Sequence, residues 1–230
     1  MIARLAALLL TMLTACSMGI ESLAAQMAPD GYLMLVNRQY MLSADYEPGD
    51  LVRPNVKASG SAIMMRADAA AALEELFAAA KAEANLTLYA QSGYRSYQTQ
   101  STIYQRKIKE TGSVDKARRL VADPGASEHQ LGLAMDVKGD PNGKLNAAFG
   151  KTKAGVWLAE NAWRFGFIIR YKEEWTDVTG FAYEPWHIRY VGKEHAAILQ
   201  ELNIPLEEYV AALRELALDE AMEGASPCEN

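Results

Sequence analysis

Cysteine, histidine and long apolar runs are all scarce in this sequence. Two cysteines among 230 residues exclude a disulfide scaffold and a zinc site built from several thiolates. The 23 lysines and arginines are outnumbered by 29 aspartates and glutamates, and this net charge of −6 argues against a nucleic-acid binder. No apolar stretch reaches about 20 residues, so we expect no membrane-spanning helix in the mature chain. Half of the residues are apolar and 23% are charged, which is typical of a folded domain with a sizeable core.

The first sixteen residues are typical of an export signal. Arg4 supplies a positive start, and residues 5–13 are apolar with one exception, a run too short to span a bilayer. Residues 13–16 resemble a bacterial lipobox, in which Cys16 becomes the lipidated first residue. Two alternatives stay open: an N-terminal helix docked in a core, and cleavage further along, near residues 23–26. We expect a membrane-anchored lipoprotein on the extracytoplasmic side, in the periplasm or at the cell surface.

After the signal sequence (1–16), the chain divides into an arm, a domain and a tail. Residues 17–60 form an irregular arm with proline and glycine turns and one candidate strand at 33–36. Residues 61–222 are predicted to form one domain, and residues 223–230 a tail whose Cys228 is assigned no role. Helices are predicted at 66–84, 96–110, 113–122, 154–165, 193–202 and 206–222. Ser96 and Ser113 are candidate N-terminal caps of the second and third of these helices. Strands are predicted at 86–90, 133–137, 167–171 and 186–191. This mixture, without regular βαβ alternation, predicts an α+β fold.

Only three histidines are present, and two of them lie in segments dense with other polar groups. His129 begins one such segment, which ends at Asp136, and His187 lies in the other. Seven residues of helix would separate His129 from Asp136 by about 10 Å, and a straight strand by more than roughly 20 Å. A shared metal, about 2 Å from each ligand, therefore requires a turn between them, which Gly132 permits. The apolar residues 133–135 then place Asp136 on a buried strand, where its carboxylate needs a partner.

His187 completes a candidate zinc site. Two histidines and one carboxylate suit Zn²⁺, and three protein ligands leave a fourth position open for water, as in catalytic sites. Glu184 precedes His187 by three residues, and Pro185 favours an extended backbone, so this carboxylate can lie beside the metal as a general base. The residues alone leave other interpretations open: hydrogen-bonded core histidines, an Asp136–arginine pair and a surface Glu184.

These segments resemble the D-alanyl-D-alanine carboxypeptidases of the vancomycin-resistance type. That family belongs to a zinc peptidase group that also contains lysostaphin, D-Ala-D-Ala dipeptidases and hedgehog domains. The group signature S-x-H-x-x-G-x-A-x-D is matched by Ser127, His129, Gly132, Ala134 and Asp136, and the second motif, E-x-W-H, by Glu184, Trp186 and His187. The carboxypeptidase branch adds S-G-Y-R-S, found here at residues 92–96. The resemblance covers roughly residues 32–210, and its departure in the loop at 172–177 bears on substrate preference.

The resemblance implies a small antiparallel central sheet flanked by helices, with the metal on the sheet. One catalytic Zn²⁺ would be held by His129, Asp136 and His187. Glu184 would take a proton from the attacking water and pass it to the leaving amine. Arg95 would stabilise the scissile carbonyl as it becomes an oxyanion.

Substrate contacts are implied as well. Ser127 would bind the terminal carboxylate or the adjacent backbone, and Gln100 would contact the peptide stem. Two aromatic side chains, Tyr94 and Trp186, are candidates for lining the groove. For these four residues a purely structural role also stays open.

Two further expectations concern polar residues near the site. We expect His195 to be a surface histidine, because it lies on a helix after the last strand. We expect Glu128 to point away from the metal.

The function predicted from the sequence is zinc-dependent removal of the C-terminal D-alanine from peptidoglycan stem peptides. An L,D-carboxypeptidase or a D-Ala-D-Ala dipeptidase on the same scaffold is the first alternative. The second is a non-catalytic lipoprotein that binds cell-wall peptides through an inert zinc site. We expect a monomer whose partners are stem peptides and, through Cys16, a membrane, with no nucleic acid.

Overall fold

The structure, a computed structural model, describes residues 25–224, with side chains described as far as residue 218. The predicted signal sequence with Cys16, and residues 225–230 with Cys228, lie outside the described residues. The helices are α1 (Ala67–Ala84), α2 (Tyr97–Thr111), α3 (Val114–Arg118), α4 (Lys153–Asn161), α5 (Thr176–Thr179), α6 (Lys193–Leu202) and α7 (Leu206–Gly224). Short 3₁₀ helices span Glu128–Leu131, Ala147–Lys151, Ala162–Phe165 and Glu173–Trp175. The strands are β1 (Leu51–Val52), β2 (Met65–Arg66), β3 (Tyr89–Ser92), β4 (Ala134–Lys138), β5 (Phe167–Tyr171) and β6 (Glu184–Tyr190).

Four strands form an antiparallel sheet in the order β3-β4-β6-β5, and β1 pairs with β2 in a separate ribbon. The predicted α+β class and small antiparallel sheet are confirmed. The central strands β4 and β6 are distant in sequence, and their register places Asp136 opposite His187 and Ala134 opposite Arg189. Within residues 25–224, no helix is both long and apolar enough to cross a membrane.

The two faces of the sheet differ in character because side chains alternate along each strand. Met135 and Ile188 belong to the larger apolar core, which also contains the buried side of α1. Asp136, His187 and Arg189 alternate with them and point to the opposite face. A second apolar cluster, built from α6, α7 and part of the N-terminal arm, contains residues of β5 and of the segment after β6. The sheet therefore carries a buried polar surface between two apolar regions.

The segment 33–36, predicted as a strand, is not one. Leu33 is fully buried, but the backbone carbonyls around it do not pair with a strand. The carbonyl oxygens of Tyr32 and Met34 instead accept hydrogen bonds from Nη2 of Arg189, both at 2.9 Å. The apolar pattern here reflects burial of Leu33 and Leu35 in the second apolar cluster rather than strand pairing.

The strand predicted at 86–90 begins three residues later. Asn85 ends α1 in a left-handed conformation, with φ of 53°, and the amide of Leu86 donates to the carbonyl of Ala80 at 3.0 Å. The first residues after α1 therefore close the helix, and the sheet begins only after them.

The predicted starts of α2 and α3 are confirmed, but the predicted end of α3 is not. Ser96 and Ser113 cap α2 and α3 through their hydroxyl groups, and Gly112 ends α2 in a left-handed conformation. α3 ends four residues earlier than predicted, because the chain turns at Arg118, whose Nε donates to the carboxylate of Asp123 at 3.1 Å.

His195 in α6 is buried, so the prediction of a surface histidine is wrong. Its side chain is fully shielded from solvent, and its Nδ1 lies 2.7 Å from the hydroxyl oxygen of Tyr209 in α7. Burial lowers the pKa of His195 from 6.5 to about 4. At neutral pH the folded protein therefore holds this imidazole uncharged between two helices of the second apolar cluster.

This burial predicts a pH-dependent loss of stability. Between pH 6.5 and 4 the unfolded chain binds a proton at His195 that the folded chain does not, so the free energy of unfolding falls as the pH falls. Near pH 4, protonation of His195 in the unfolded chain lowers the free energy of unfolding by about 3 kcal/mol relative to neutral pH. Replacing His195 with Asn removes the titrating group. The difference in unfolding free energy between wild type and His195→Asn, measured by urea titration, should shrink by that amount from pH 7 to pH 4. A difference that stays constant would contradict the assignment.

Candidate metal centre

The candidate ligands come from β4, β6 and the turn before β4. Asp136 in β4 faces His187 in β6, and His129 lies in a 3₁₀ helix that Gly132 ends with φ of 68°. A Cβ added to Gly132 would lie 2.8 Å from Cδ2 of Leu51, so both the backbone conformation and the space favour glycine. The predicted turn is present, and it brings His129 back to Asp136.

The ligand atoms of these three residues converge. Nδ1 of His187 lies 3.3 Å from Oδ1 of Asp136, and Nε2 of His129 lies 3.5 Å from the same oxygen. All three side chains are buried, and their ligand atoms lie within 4.8 Å of one another. Tetrahedral ligands about 2 Å from one zinc ion are roughly 3.3 Å apart. The two separations measured from Oδ1 of Asp136 therefore match those between ligands of a single zinc ion.

The hydrogen bonding of the ligands also leaves room for a cation. Nε2 of His129 and Oδ1 of Asp136 are buried without a hydrogen-bond partner. Nδ1 of His129 donates to the carbonyl oxygen of Gly93 at 2.7 Å, which leaves the lone pair of Nε2 facing the centre. Buried polar atoms without partners are costly, and a metal ion bound between them would remove that cost.

The pKa values of the three ligands describe a site organised around one negative charge. Burial, reinforced by the charge of Arg95, lowers the pKa of His129 to about 4. Burial alone would raise the pKa of Asp136, but the interactions with His129 and His187 hold it well below its usual range. Burial would lower the pKa of His187, but the carboxylates of Asp136 and Glu128 raise it to about 9. Asp136 is thus an anion that attracts a positive charge, whether a proton on His187 or a metal.

Glu184 lies beside the ligands and is not the freely solvated surface carboxylate that the sequence alone left open. Its Oε2 is 4.0 Å from Nδ1 of His187, and burial raises the pKa of Glu184 to about 7. Residues three apart on a regular strand point to opposite faces, but the pairing of β5 with β6 shifts register between Ile169 and Tyr171. This irregularity lets both side chains of β6 reach one site.

Arg95 is held on the other side of Asp136. Its amide donates to the carbonyl of His129 at 3.1 Å, and Nη2 lies 3.8 Å from Oδ2 of Asp136. Nη1 donates to Oε1 of Gln100 at 3.0 Å, and the Gln100 amide in turn donates to the carbonyl of Ala122 at 2.8 Å. Both polar atoms of the Gln100 side chain are hydrogen-bonded and the residue is 1% exposed. Gln100 therefore holds the guanidinium of Arg95 in place.

A cavity of about 540 Å³ opens above the ligands. Ser127, Trp186 and Glu184 line it, together with Arg95 and Gln100. Tyr94, which was predicted to line the groove, is not among the lining residues. Its backbone amide donates to the carbonyl of Met64 at 2.7 Å, at the edge of β3.

Glu128 was not recognised from the sequence as part of the site. It is not one of the converging ligands, but it is 1% exposed and its carboxylate lies behind His187. Two arginines, Arg170 and Arg189, contact it from β5 and β6. A signal was available: Arg170 interrupts the otherwise apolar strand β5, and a buried arginine requires an anion.

Comparison with known proteins places the chain in a family. Residues 62–193 match the family described as VanY, D-alanyl-D-alanine carboxypeptidase. The protein YodJ of Bacillus subtilis (strain 168) is 45% identical over 202 residues, which cover 86% of this chain and 73% of YodJ.

Two solved structures are similar as well. The LdcB LD-carboxypeptidase is 46% identical, with a TM-score of 0.75 over 80% of this chain and 87% of LdcB. A mutant of the vancomycin-resistance D,D-pentapeptidase VanY in complex with Zn(II) is 36% identical, with a TM-score of 0.66 over 78% of this chain and 98% of that one. This chain therefore belongs to the VanY family of D-alanyl-D-alanine carboxypeptidases.

Proposed function

We propose that the protein is a zinc-dependent carboxypeptidase that releases the C-terminal D-alanine of peptidoglycan stem peptides. His129, Asp136 and His187 would hold one zinc ion. The observation that carries the proposal is the convergence of three buried ligand atoms beside Glu184, at one end of a cavity large enough for a peptide terminus. Membership of the family and the Zn(II) complex of a similar VanY structure support it.

Glu184 is the general base in this proposal. Bound zinc would supply an activated water and polarise the carbonyl under attack. Oε2 of Glu184 accepts a proton from that water as the hydroxyl adds to the carbonyl carbon. The same proton then passes to the amine of the departing D-alanine as the C–N bond breaks. Burial raises the pKa of Glu184, which makes its carboxylate a better proton acceptor.

Arg95 and its neighbours would handle the charges of the substrate. Arg95 lines the cavity, and the positive charge of its guanidinium would stabilise the developing oxyanion. Gln100 fixes the guanidinium and is a positioning residue. Ser127 lines the cavity and is our candidate to bind the terminal carboxylate, with Trp186 as an apolar wall.

A second candidate activity is cleavage of the L,D bond of a tetrapeptide stem. Its support is the greater similarity of the chain to the LdcB LD-carboxypeptidase than to the VanY structure, in both identity and TM-score. Both reactions release one D-alanine and use the same residues. A non-catalytic wall-binding protein is disfavoured, because a binding module has no need of a base beside an open metal position.

We also propose that the chain is exported and anchored by a lipid on Cys16. Arg4, the apolar run at 5–13 and the Leu-Thr-Ala-Cys sequence at 13–16 support this proposal. A lipid anchor would place the enzyme on the side of the membrane where cross-linked peptidoglycan lies.

The proposed activity predicts a specific product pattern. The zinc-loaded protein is incubated with pentapeptide and tetrapeptide muropeptides, with and without chelator, and the products are weighed by mass spectrometry. Chelator-sensitive loss of one alanine from the pentapeptide alone identifies D,D activity, and the same loss from the tetrapeptide alone identifies L,D activity. Loss of two alanines together would show release of an intact dipeptide instead of a single D-alanine. No cleavage of either peptide by protein shown to hold one zinc would overturn the proposal.

Replacing the base should separate catalysis from metal binding. We expect Glu184→Gln to lower kcat by about 10³-fold or more, because the amide cannot accept the proton, while the variant still binds one zinc. Glu201→Gln makes the same chemical change at an exposed position in α6, away from the cavity, and should keep wild-type activity. Activity is measured on the preferred muropeptide and zinc content by elemental mass spectrometry. Full activity in zinc-loaded Glu184→Gln would show that another group is the base.

Lipidation is tested with the full-length chain in a bacterial host. The wild-type protein should sediment with membranes and incorporate a fatty-acid label, whereas Cys16→Ala should do neither. Cys228→Ala removes the other cysteine and should behave like wild type. Labelling that persists in Cys16→Ala would refute the assignment.

A further inference from the structure

A cluster of buried charges lies directly behind the metal centre. Oε1 of Glu128 accepts hydrogen bonds from Nε of Arg170 and from Nη1 of Arg189, both at 2.8 Å. All three side chains are at most 1% exposed. Such burial is costly unless every charge is paired, and here two cations share one carboxylate oxygen.

The other oxygen of this carboxylate faces the ring of His187, on the side remote from Asp136. Oε2 of Glu128 lies 3.5 Å from Nε2 of His187, and both atoms are buried without a hydrogen-bond partner. Nε2 is the ring nitrogen opposite the one that faces Asp136, since Nδ1 of His187 is the atom 3.3 Å from Asp136. The imidazole of His187 therefore stands between two carboxylates, one at each nitrogen.

We propose that Glu128 is a positioning residue for the metal centre: its Oε2 accepts the Nε2–H of His187, which fixes the tautomer that leaves Nδ1 free for zinc. The inference rests on the proposed function, because it requires His187 to be a zinc ligand. Ligating histidines in proteins donate their other N–H to a carboxylate or a backbone carbonyl. His129 follows the same rule with the carbonyl of Gly93, so each of the two rings is held at the nitrogen remote from the metal.

The arginines keep the accepting carboxylate charged and fixed. Burial would raise the pKa of Glu128, but the positive charges of Arg170 and Arg189 hold it well below its usual range. Arg170 is held in turn by Glu207 at the start of α7, through Nη1 at 3.0 Å and Nη2 at 2.5 Å. The two arginines and two glutamates balance in charge.

The test compares two glutamates of this cluster. Glu128→Gln is nearly isosteric, but the amide has one acceptor and one donor end, so its NH₂ must face either the N–H of His187 or the arginines. We expect the zinc affinity of Glu128→Gln to fall about 10- to 100-fold. Glu207→Gln removes a carboxylate from the same cluster without touching His187, and should leave zinc affinity within about 3-fold of wild type. Affinities are measured on the full-length chains by competition with a chelating dye.

A second readout uses the wild-type protein and needs no variant to fold. Long-range ¹H–¹⁵N spectra of the zinc-loaded chain report the tautomer of each histidine, and three histidines give three readily distinguished patterns. We expect His187 to carry its proton on Nε2, with slow exchange against water.

The outcomes separate the inference from the function on which it rests. A wild-type chain that binds no zinc would overturn both. A chain that binds zinc through Nε2 of His187, or a folded Glu128→Gln with wild-type zinc affinity, would overturn the inference alone. Weakened zinc binding in Glu128→Gln but not in Glu207→Gln, or a wild-type spectrum with the proton on Nε2, supports it.

Discussion

The cross-strand pairing of Asp136 with His187 is the constraint on which the rest of the site depends. The two residues lie opposite each other at the centre of the sheet, so the register of β4 and β6 sets the distance between their side chains. A slip of one residue in either strand would turn one ligand into the apolar core, where Met135 and Ile188 now lie. The packing of those apolar side chains therefore fixes the geometry of the polar face.

Charge on that face is arranged in layers. The innermost layer is Asp136 between two imidazoles, and its carboxylate is also within 3.8 Å of Arg95. Behind His187 lies a second layer, in which Glu128 is matched by two arginines. Arg189 in this layer also donates to carbonyls of the N-terminal arm, so the same guanidinium orders the arm and neutralises the carboxylate. Arg189 therefore stabilises the fold and also neutralises the carboxylate next to the metal centre.

Much of this arrangement was predictable from the sequence, and the failures have a common cause. Local signals worked: the caps at Ser96 and Ser113, the turn at Gly132 and the apolar strand carrying Asp136 are all present. The predictions that were wrong or missing concern residues whose positions depend on contacts with residues distant in the sequence. Leu33 is buried without being in a strand, and His195 is buried because α7 packs over it. The position of Glu128 was likewise decided by arginines 42 and 61 residues away.

The link from α7 to the site has a consequence for domain boundaries. The stretch that matches the family ends at residue 193, yet Glu207, which pairs with the buried Arg170, lies beyond it. A minimal catalytic fragment cut at the end of the matched stretch would leave one guanidinium in excess inside the protein, next to the carboxylate behind His187. Chimeras and truncations of this chain should therefore treat α7 as part of the folded domain, although none of its residues up to 218 lines the cavity.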